Sequence, residues 1–133
     1  MDNCIFCKIV SGELPGYKIY EDEYTVAFLD IAKDIDGHTL VVPKKHCRNV
    51  LDVDDETLAH VARTIKTVAN HYISLGYDGI NILNANESCA QQTVFHLHFH
   101  IIPRKNDDGI DAWPKLDCAQ YELEEMWNKL KMI

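Results

Sequence analysis

Residues 95–103 read FHLHFHIIP, a run in which histidine alternates with large apolar residues. In a β-strand, successive side chains point to opposite faces, so His96, His98 and His100 would share one side. The aromatic and branched residues between them would anchor the other side in a core. Pro103 cannot donate a hydrogen bond to a neighbouring strand, so we expect the strand to end there. The pattern predicts a row of three imidazoles on a rigid element, which favours a functional site.

Length and composition indicate one domain spanning residues 1–133. The chain is 47% hydrophobic and 26% charged, which is typical of a soluble globular protein with a real core. No apolar run approaches the ~20 residues that a membrane helix needs. The N-terminus lacks the basic stretch and apolar core of a signal peptide. We therefore expect a cytoplasmic protein.

The net charge of −8 argues against nucleic-acid binding, which depends on clustered Lys and Arg. A small phosphate ester could still bind, because a local pocket can be positive within an acidic protein.

The five cysteines are an odd number and do not indicate a disulfide framework. Cys4 and Cys7 are three residues apart in a short predicted helix over 4–11, capped by Asn3 and closed by Gly12. The two thiols would share one face, as metal ligands must. Redox chemistry of the thioredoxin type is not expected, because that motif normally follows a strand.

The remaining pattern predicts strands over 17–20, 25–29, 38–42 and 80–84, a helix from Asp52 or Asp54 to about Leu75, and a closing helix over 117–131. This order indicates an α+β domain with a five-stranded, mainly antiparallel sheet. Dimerisation is one way to cover the exposed edges of so small a sheet. We interpret His60 and His71, on the long helix, as solvated surface residues.

Spacing limits what the histidine row can do. Alternate residues of a strand lie ~6.7 Å apart and the outer two about 13 Å apart, so three imidazoles cannot hold one ion. Separate roles along an anionic substrate fit better, with His98 attacking phosphorus and a flanking histidine donating to the phosphoryl oxygens. Further donors lie just upstream, and an acid that could hold a ribose hydroxyl follows the second strand: Asn84, Asn86, Gln92, Thr93 and Asp30.

Residues 96–102 resemble the signature of the histidine triad (HIT) family, His-x-His-x-His followed by apolar positions. Residues 4–9, 27–31 and 37–46 resemble the family's opening, its nucleoside pocket and its middle strand. The similarity covers nearly the whole chain and is strongest to the Hint branch of nucleotide hydrolases and transferases.

The resemblance implies a HIT-like fold and a homodimer in which two sheets join into one of ten strands. It implies cleavage at the α-phosphate of a nucleoside phosphoramidate, an adenylated compound or a dinucleoside polyphosphate, with release of a nucleoside monophosphate. A purine nucleotide of the AMP type is the expected partner, without nucleic acid, membrane or organic cofactor.

By the same resemblance, His98 becomes transiently nucleotidylated and His38 supports the triad. The phosphate contacts are His100, Gln92 and an Asn, with Thr93 in place of the family's serine. Asp30 would hold the ribose. An apolar slot for the base would be formed by Phe6, Ile9, Phe28 and Ile31, although simple core packing also explains these four residues.

Two departures concern the loop before the triad. Many members carry Gly-Gln-Ser where this chain has Gln91, Gln92 and Thr93, so the backbone path at Gln91 is open. The loop is also one residue longer, which leaves Asn84 and Asn86 in competition for the phosphate. We favour Asn84.

Similarity to zinc-bearing members extends the cysteine pair to a Cys₂His₂ set, namely Cys4, Cys7, His46 and His96. Such an ion would brace the neighbour of the nucleophile and would not catalyse directly. Two other hypotheses stay open: a hydrolase in which triad histidines hold a catalytic zinc, and a nucleotide-binding module without turnover.

Overall fold

The structure, a computed structural model, describes residues 3–133, so Met1 and Asp2 of the N-terminal stretch discussed above lie outside it. Five antiparallel strands form one sheet in the order β1-β2-β3-β5-β4, and the expected α+β class is confirmed. The elements are α1 (Ile5–Ser11), β1 (Lys18–Glu21), β2 (Thr25–Leu29), β3 (Thr39–Pro43), α2 (Asp55–Ser74), β4 (Gly79–Leu83), a 3-10 turn (Ser88–Ala90), β5 (Phe99–Arg104) and α3 (Leu123–Leu130).

The sheet has a core on each face, because side chains alternate along its central strands. Ala27, Val41 and Ile101 face α2 and pack against its buried residues. Their neighbours Val26 and Val42 point the other way and pack with Phe6 of α1. His100 follows the second set, so the histidine-bearing side of the sheet is the one that α1 covers.

Helix α2 begins at the second of the two candidate caps. The Asp54 carboxylate accepts a hydrogen bond from the backbone N–H of Thr57. Five residues of this helix are buried, whereas Ala62 is exposed and Ile73 is 46% exposed. Thr64 is among the buried residues, and its hydroxyl lies 2.6 Å from that of Thr25 on β2, so each buried hydroxyl has a hydrogen-bond partner.

The predicted strand over the histidine row is wrong at both ends. It begins only at Phe99 and continues through Pro103 to Arg104. Proline is tolerated there because β3 pairs with β5 no further than Ile101, so Pro103 has a neighbouring strand on one side only. His96 and His98 lie in an irregular segment before the strand, where the N–H of Leu97 donates to the carbonyl of Cys47 (2.8 Å).

Three smaller expectations also change. Cys4, not Asn3, caps α1 through a hydrogen bond from the N–H of Cys7 to its sulfur. His60 is only partly exposed, and its ring stacks on Tyr24 with centroids 3.7 Å apart, whereas His71 is exposed as expected. The closing helix is short, and its apolar face is uncovered: Leu123 is 89%, Trp127 60% and Leu130 67% exposed.

Among the described residues, no helix combines the length and the apolar character needed to cross a bilayer.

Candidate active site

His98 is held as a neutral imidazole with one defined free nitrogen. Its Nδ1 lies 2.8 Å from the carbonyl oxygen of His96, and since a carbonyl only accepts, Nδ1 carries the proton. Burial lowers the pKa of His98, which keeps the ring uncharged near pH 7. The ring is 8% exposed and packs edge-on against Phe6 at 5.1 Å. The lone pair is therefore on Nε2, the atom that a nucleophile would use.

His100 belongs to a chain of three polar groups. Its Nδ1 lies 2.8 Å from Nε2 of His38, and Nδ1 of His38 lies 2.8 Å from a carboxylate oxygen of Asp34. Burial, together with His98 and His38, lowers the pKa of His100 to about 4. The structure thus brings His38 to the triad, and it adds Asp34, which the sequence did not indicate.

His96 faces away from this chain. Its Nε2 donates to the carbonyl of Pro43 (2.8 Å), so the free nitrogen is Nδ1. That atom lies 3.4 Å from the sulfur of Cys4 and 3.5 Å from that of Cys7. Nδ1 of His46 is 3.3 Å from the Cys7 sulfur. Burial lowers the pKa of His96 to about 4, which keeps its lone pair available to a metal.

The geometry of this cluster fits a tetrahedral ion. The four donor atoms of Cys4, Cys7, His46 and His96 all lie within 4.8 Å of one another. Zinc bonds of about 2.3 Å to sulfur and about 2.0–2.1 Å to nitrogen place sulfur and nitrogen ligands about 3.5 Å apart in a tetrahedron. The sulfur–nitrogen distances of 3.3–3.5 Å match that value. Burial and the neighbouring Cys4 raise the pKa of Cys7 to about 11, a cost that a bound cation would offset.

The two competing asparagines are now distinguishable. The side-chain amide of Asn84 donates to the carbonyl of His98 (2.9 Å), so Asn84 lies next to the candidate nucleophile. Asn86 lies one step further out and donates to the Asn84 side chain (2.6 Å). An open cleft of about 420 Å³ adjoins Asn84 and His100.

The side chain of Gln92 is buried and hydrogen-bonded to the loop around it. Its amide nitrogen donates to the carbonyls of Arg48 (2.7 Å) and Val94 (3.0 Å), which uses both hydrogens. Its oxygen accepts from Asn49 and from the N–H of Glu87. The buried amide holds the loop together, and its contact with phosphate stays a prediction.

The backbone at Gln91 adopts the conformation that glycine favours. Gln91 adopts the left-handed conformation at φ 75°, ψ 23°. Glu87 is more unusual still, at φ 77°, ψ 160°, a region that costs a non-glycine residue roughly 1–3 kcal/mol. Two hydrogen bonds of 2.9 Å from the Arg48 guanidinium and one of 2.6 Å from Asn49 hold its carboxylate. No local sequence signal could have revealed this clamp, since its partners are 38 and 39 residues apart.

The predicted base slot divides into buried and exposed members. Phe6 and Phe28 are 6% and 3% exposed and pack edge to face in the core, with Ile9 half-buried beside them. Ile31 is 79% exposed, and Thr93 is exposed as well. One oxygen of Asp30 accepts from the N–H of Ala32 (2.8 Å), and the other lies 3.8 Å from Nε2 of His38.

The antiparallel sheet and its row of histidines with fixed tautomers define a class of protein, which comparison with known families identifies. The model of the HIT domain matches residues 11–107, and this chain belongs to the HIT family. An uncharacterized HIT-like protein of Methanocaldococcus jannaschii is 49% identical, over 96% of this chain and 98% of its own length. An adenosine 5'-monophosphoramidase of Schizosaccharomyces pombe is 38% identical, over 97% of this chain and 99% of that protein.

The same fold is found in a solved structure that contains zinc. The zinc-bound histidine triad family protein of Mycobacterium smegmatis superposes with a TM-score of 0.79 at 41% identity, over 87% of this chain and 85% of that one.

Proposed function

We propose that this protein is a nucleotide hydrolase or transferase that cleaves an adenylated compound at its α-phosphate through a nucleotidyl-His98 intermediate. Substrates of the expected classes are nucleoside phosphoramidates, adenylated compounds and dinucleoside polyphosphates. The observation that carries the proposal is the fixed tautomer of His98, whose Nδ1 proton is held by a backbone carbonyl while its lone pair is left on Nε2. The relative named as an adenosine 5'-monophosphoramidase supports the phosphoramidate class.

In the proposed first step, Nε2 of His98 forms a bond to the α-phosphorus as the bond to the leaving group breaks. Nε2 of His100, which carries a lone pair in the free protein, takes up a proton from solvent when the anionic substrate binds. It passes this proton to the leaving atom, which keeps the electron pair. An anionic phosphoryl group beside His100 raises the pKa of that residue and so makes it an effective donor. Water then attacks the phosphorus and gives a proton to Nε2 of His100, which is neutral again after the first step. The phosphorus–His98 bond breaks, its electron pair returns to Nε2 of His98, and the nucleoside monophosphate is released. Asn84 and the backbone near Thr93 are the proposed donors to the phosphoryl oxygens.

The nucleoside would lie on the α1 side of the sheet. Ile31 and Ile9 offer accessible apolar surface to a purine, with the edges of Phe6 and Phe28 behind them. Asp30 would accept from a ribose hydroxyl.

We also propose a structural zinc on Cys4, Cys7, His46 and His96. The donor distances and the neutral His96 support this set, and so does the zinc-bound relative. The ion would cross-link α1, the segment after β3 and His96, which lies two residues before the nucleophile. It would supply no step of the reaction.

A homodimer in the cytoplasm completes the proposal, with each chain as one domain. Strand β4 is an edge of the sheet, and its Ile82 is 47% exposed, so pairing of two β4 edges would make a sheet of ten strands. The uncovered apolar face of α3 gives such a dimer further surface to bury. The unpaired thiols suit a reducing compartment.

Intact-mass spectrometry tests the reaction directly. Protein mixed with adenosine 5'-phosphoramidate and quenched in base should carry an adenylate adduct, and His98→Gln should carry none. His71→Gln, an exposed histidine on α2, is the matched control and should react like the unaltered chain. Turnover without an adduct that stops on chelation would instead indicate a zinc-dependent hydrolase. AMP binding without turnover would indicate a binding module.

A further inference from the structure

Asp34 lies at the outer end of the hydrogen-bonded chain that reaches His100. We propose that Asp34 is a positioning residue: it sets the tautomer of His38 and thereby orients His100 toward the phosphoryl group. The inference deepens the proposed function, on which it rests, by extending its proton path beyond the histidines.

The direction of the chain follows from what each atom can do. The Asp34 carboxylate only accepts, so the proton at its 2.8 Å contact belongs to Nδ1 of His38. A neutral His38 then has its lone pair on Nε2, which accepts from Nδ1–H of His100 across 2.8 Å. The free nitrogen of His100 is therefore Nε2. Both N–H groups of the series therefore point toward Asp34. The nitrogen that can exchange a proton, Nε2 of His100, lies at the substrate end.

The neighbouring acid cannot play this part. Asp30 approaches the other nitrogen of His38, at 3.8 Å, which is too long for a hydrogen bond. Its second oxygen is already occupied by the N–H of Ala32. The carboxylate of Asp34, by contrast, makes a short contact, and the hydrogen bond to His38 holds the pKa of Asp34 below its usual range.

The loop between β2 and β3 is folded so that Asp34 returns to His38. The N–H of Asp30 donates to the carbonyl of His38 (2.9 Å), and the N–H of His38 donates to the carbonyl of Ile35 (3.1 Å). The same Asp34 oxygen that contacts His38 also accepts from the N–H of Ile35 (2.8 Å), which orients the carboxylate. Gly37, at φ +83°, makes the turn, and a Cβ there would lie 2.7 Å from the Pro103 ring.

The charged and titratable groups that act on His100 are few. His98 and His38 disfavour its protonated form, whereas Asp30 and Asp34 favour it. Loss of Asp34 would remove one of the two negative charges and also release His38 to take either tautomer. Both effects should weaken His100 as a proton donor without altering the nucleotide-binding surface.

The test compares Asp34→Ala and Asp34→Asn with Asp36→Asn, an exposed acid of the same loop. With adenosine 5'-phosphoramidate as substrate, kcat of Asp34→Ala should fall about 10²-fold, the lower part of what general acids contribute, with KM changed less than about threefold. Asp34→Asn can still accept the proton of His38 and should lose less. Asp36→Asn should match the unaltered protein.

Nitrogen NMR of the histidine rings gives a second readout that does not depend on turnover. In the unaltered protein, Nδ1 of His38 should be protonated and Nε2 should not, whereas Asp34→Ala should show mixed tautomers. An unchanged His38 tautomer in folded Asp34→Ala, or an unchanged kcat, would overturn the inference. If the unaltered protein turns over no substrate, the proposed function fails, and the NMR result still decides whether Asp34 sets the tautomer.

Discussion

His96 and His100 flank His98 at the same spacing, yet they belong to different parts of the molecule. Burial is the first cause of the lowered pKa of each, about 4 in both cases. The free nitrogen of His96 faces two thiols, whereas the ring of His100 is tied to a second histidine and a carboxylate. In the proposed function, two residues of one type in one repeat would thus form a metal-ligand end and a proton-transfer end. The partner of each ring decides its chemistry.

The backbone explains the divergence. His100 lies in β5 between Leu40 and Leu83, so the sheet sets its direction. His96 precedes the strand, where bonds from the ring to Pro43 and from Leu97 to Cys47 turn the segment toward the loop after β3. His98 lies between the irregular segment and the strand, and it contacts both His96 and His100.

The largest expected effect comes from making the same substitution at His98 and at His96. His98→Gln should lower kcat by at least about 10⁴-fold, because a covalent nucleophile cannot be replaced by a neutral amide, with unfolding free energy changed by about 1 kcal/mol or less. His96→Gln should do the reverse, with lower stability and near-normal kcat per folded molecule. Steady-state kinetics and urea unfolding of both variants measure this. Equal loss of kcat in both would contradict the division.

Metal removal should act on the His96 end alone. An ion present at 1,000 times its dissociation constant adds about 4 kcal/mol to stability, which for a chain of this size is about 10–15 °C in Tm. Chelation, or Cys7→Ser, should therefore lower Tm by that amount, as measured by calorimetry with metal analysis of the same sample. Cys89→Ser, at an exposed cysteine in the 3-10 turn, is the control and should melt normally. A chelated protein that melts unchanged would exclude the structural ion.

Acid should act on both ends, because the pKa of each histidine is lowered to about 4, and His100→Gln isolates the share of one of them. The pKa of His100 is about 4 in the folded state, against an ordinary value of 6.5, so only the unfolded chain binds this proton between those values. Stability is full above pH 6.5 and falls as the pH is lowered toward 4, by at most about 3 kcal/mol from this residue. Urea unfolding at pH 7.5 and 4.5 should show a smaller difference in His100→Gln. His71→Gln should retain the whole difference, and a pH dependence that His100→Gln leaves intact would refute the assignment.

The smallest effect is expected in the loop beside His100. Gln91→Gly removes the strain of a side chain at φ 75° but makes the unfolded chain more flexible, so it should stabilise by less than about 1 kcal/mol. Gln91→Val, which is branched at Cβ, should destabilise by about 1–2 kcal/mol through the same angle. Thermal unfolding of the pair measures both signs. Equal Tm values for the two variants would show that the left-handed turn is not maintained in solution.

The sheet could be predicted because its signals are local. The short apolar runs over 25–29 and 39–42, the Asp54 cap and Gly12 each act within a few residues of chain. The clamp of Arg48 on Glu87 and the burial of Gln92 could not, because their partners are distant in sequence and carry no periodicity. The exposure of α3 could not be predicted either, since an amphipathic helix pattern does not say what will cover its apolar face.

The sequence by itself determined the α+β class, the strands and long helix, the cysteine pair and the clustering of histidines around residue 98. These follow from periodicity, turn residues and spacing, which act over short distances. Only the tertiary structure decided that His96 faces the thiols, that His98 presents Nε2, and that His100 connects through His38 to Asp34. Those outcomes depend on which carbonyl, sulfur or carboxylate meets each imidazole, and contacts across 62 and 92 residues are set by the packed sheet and its loops.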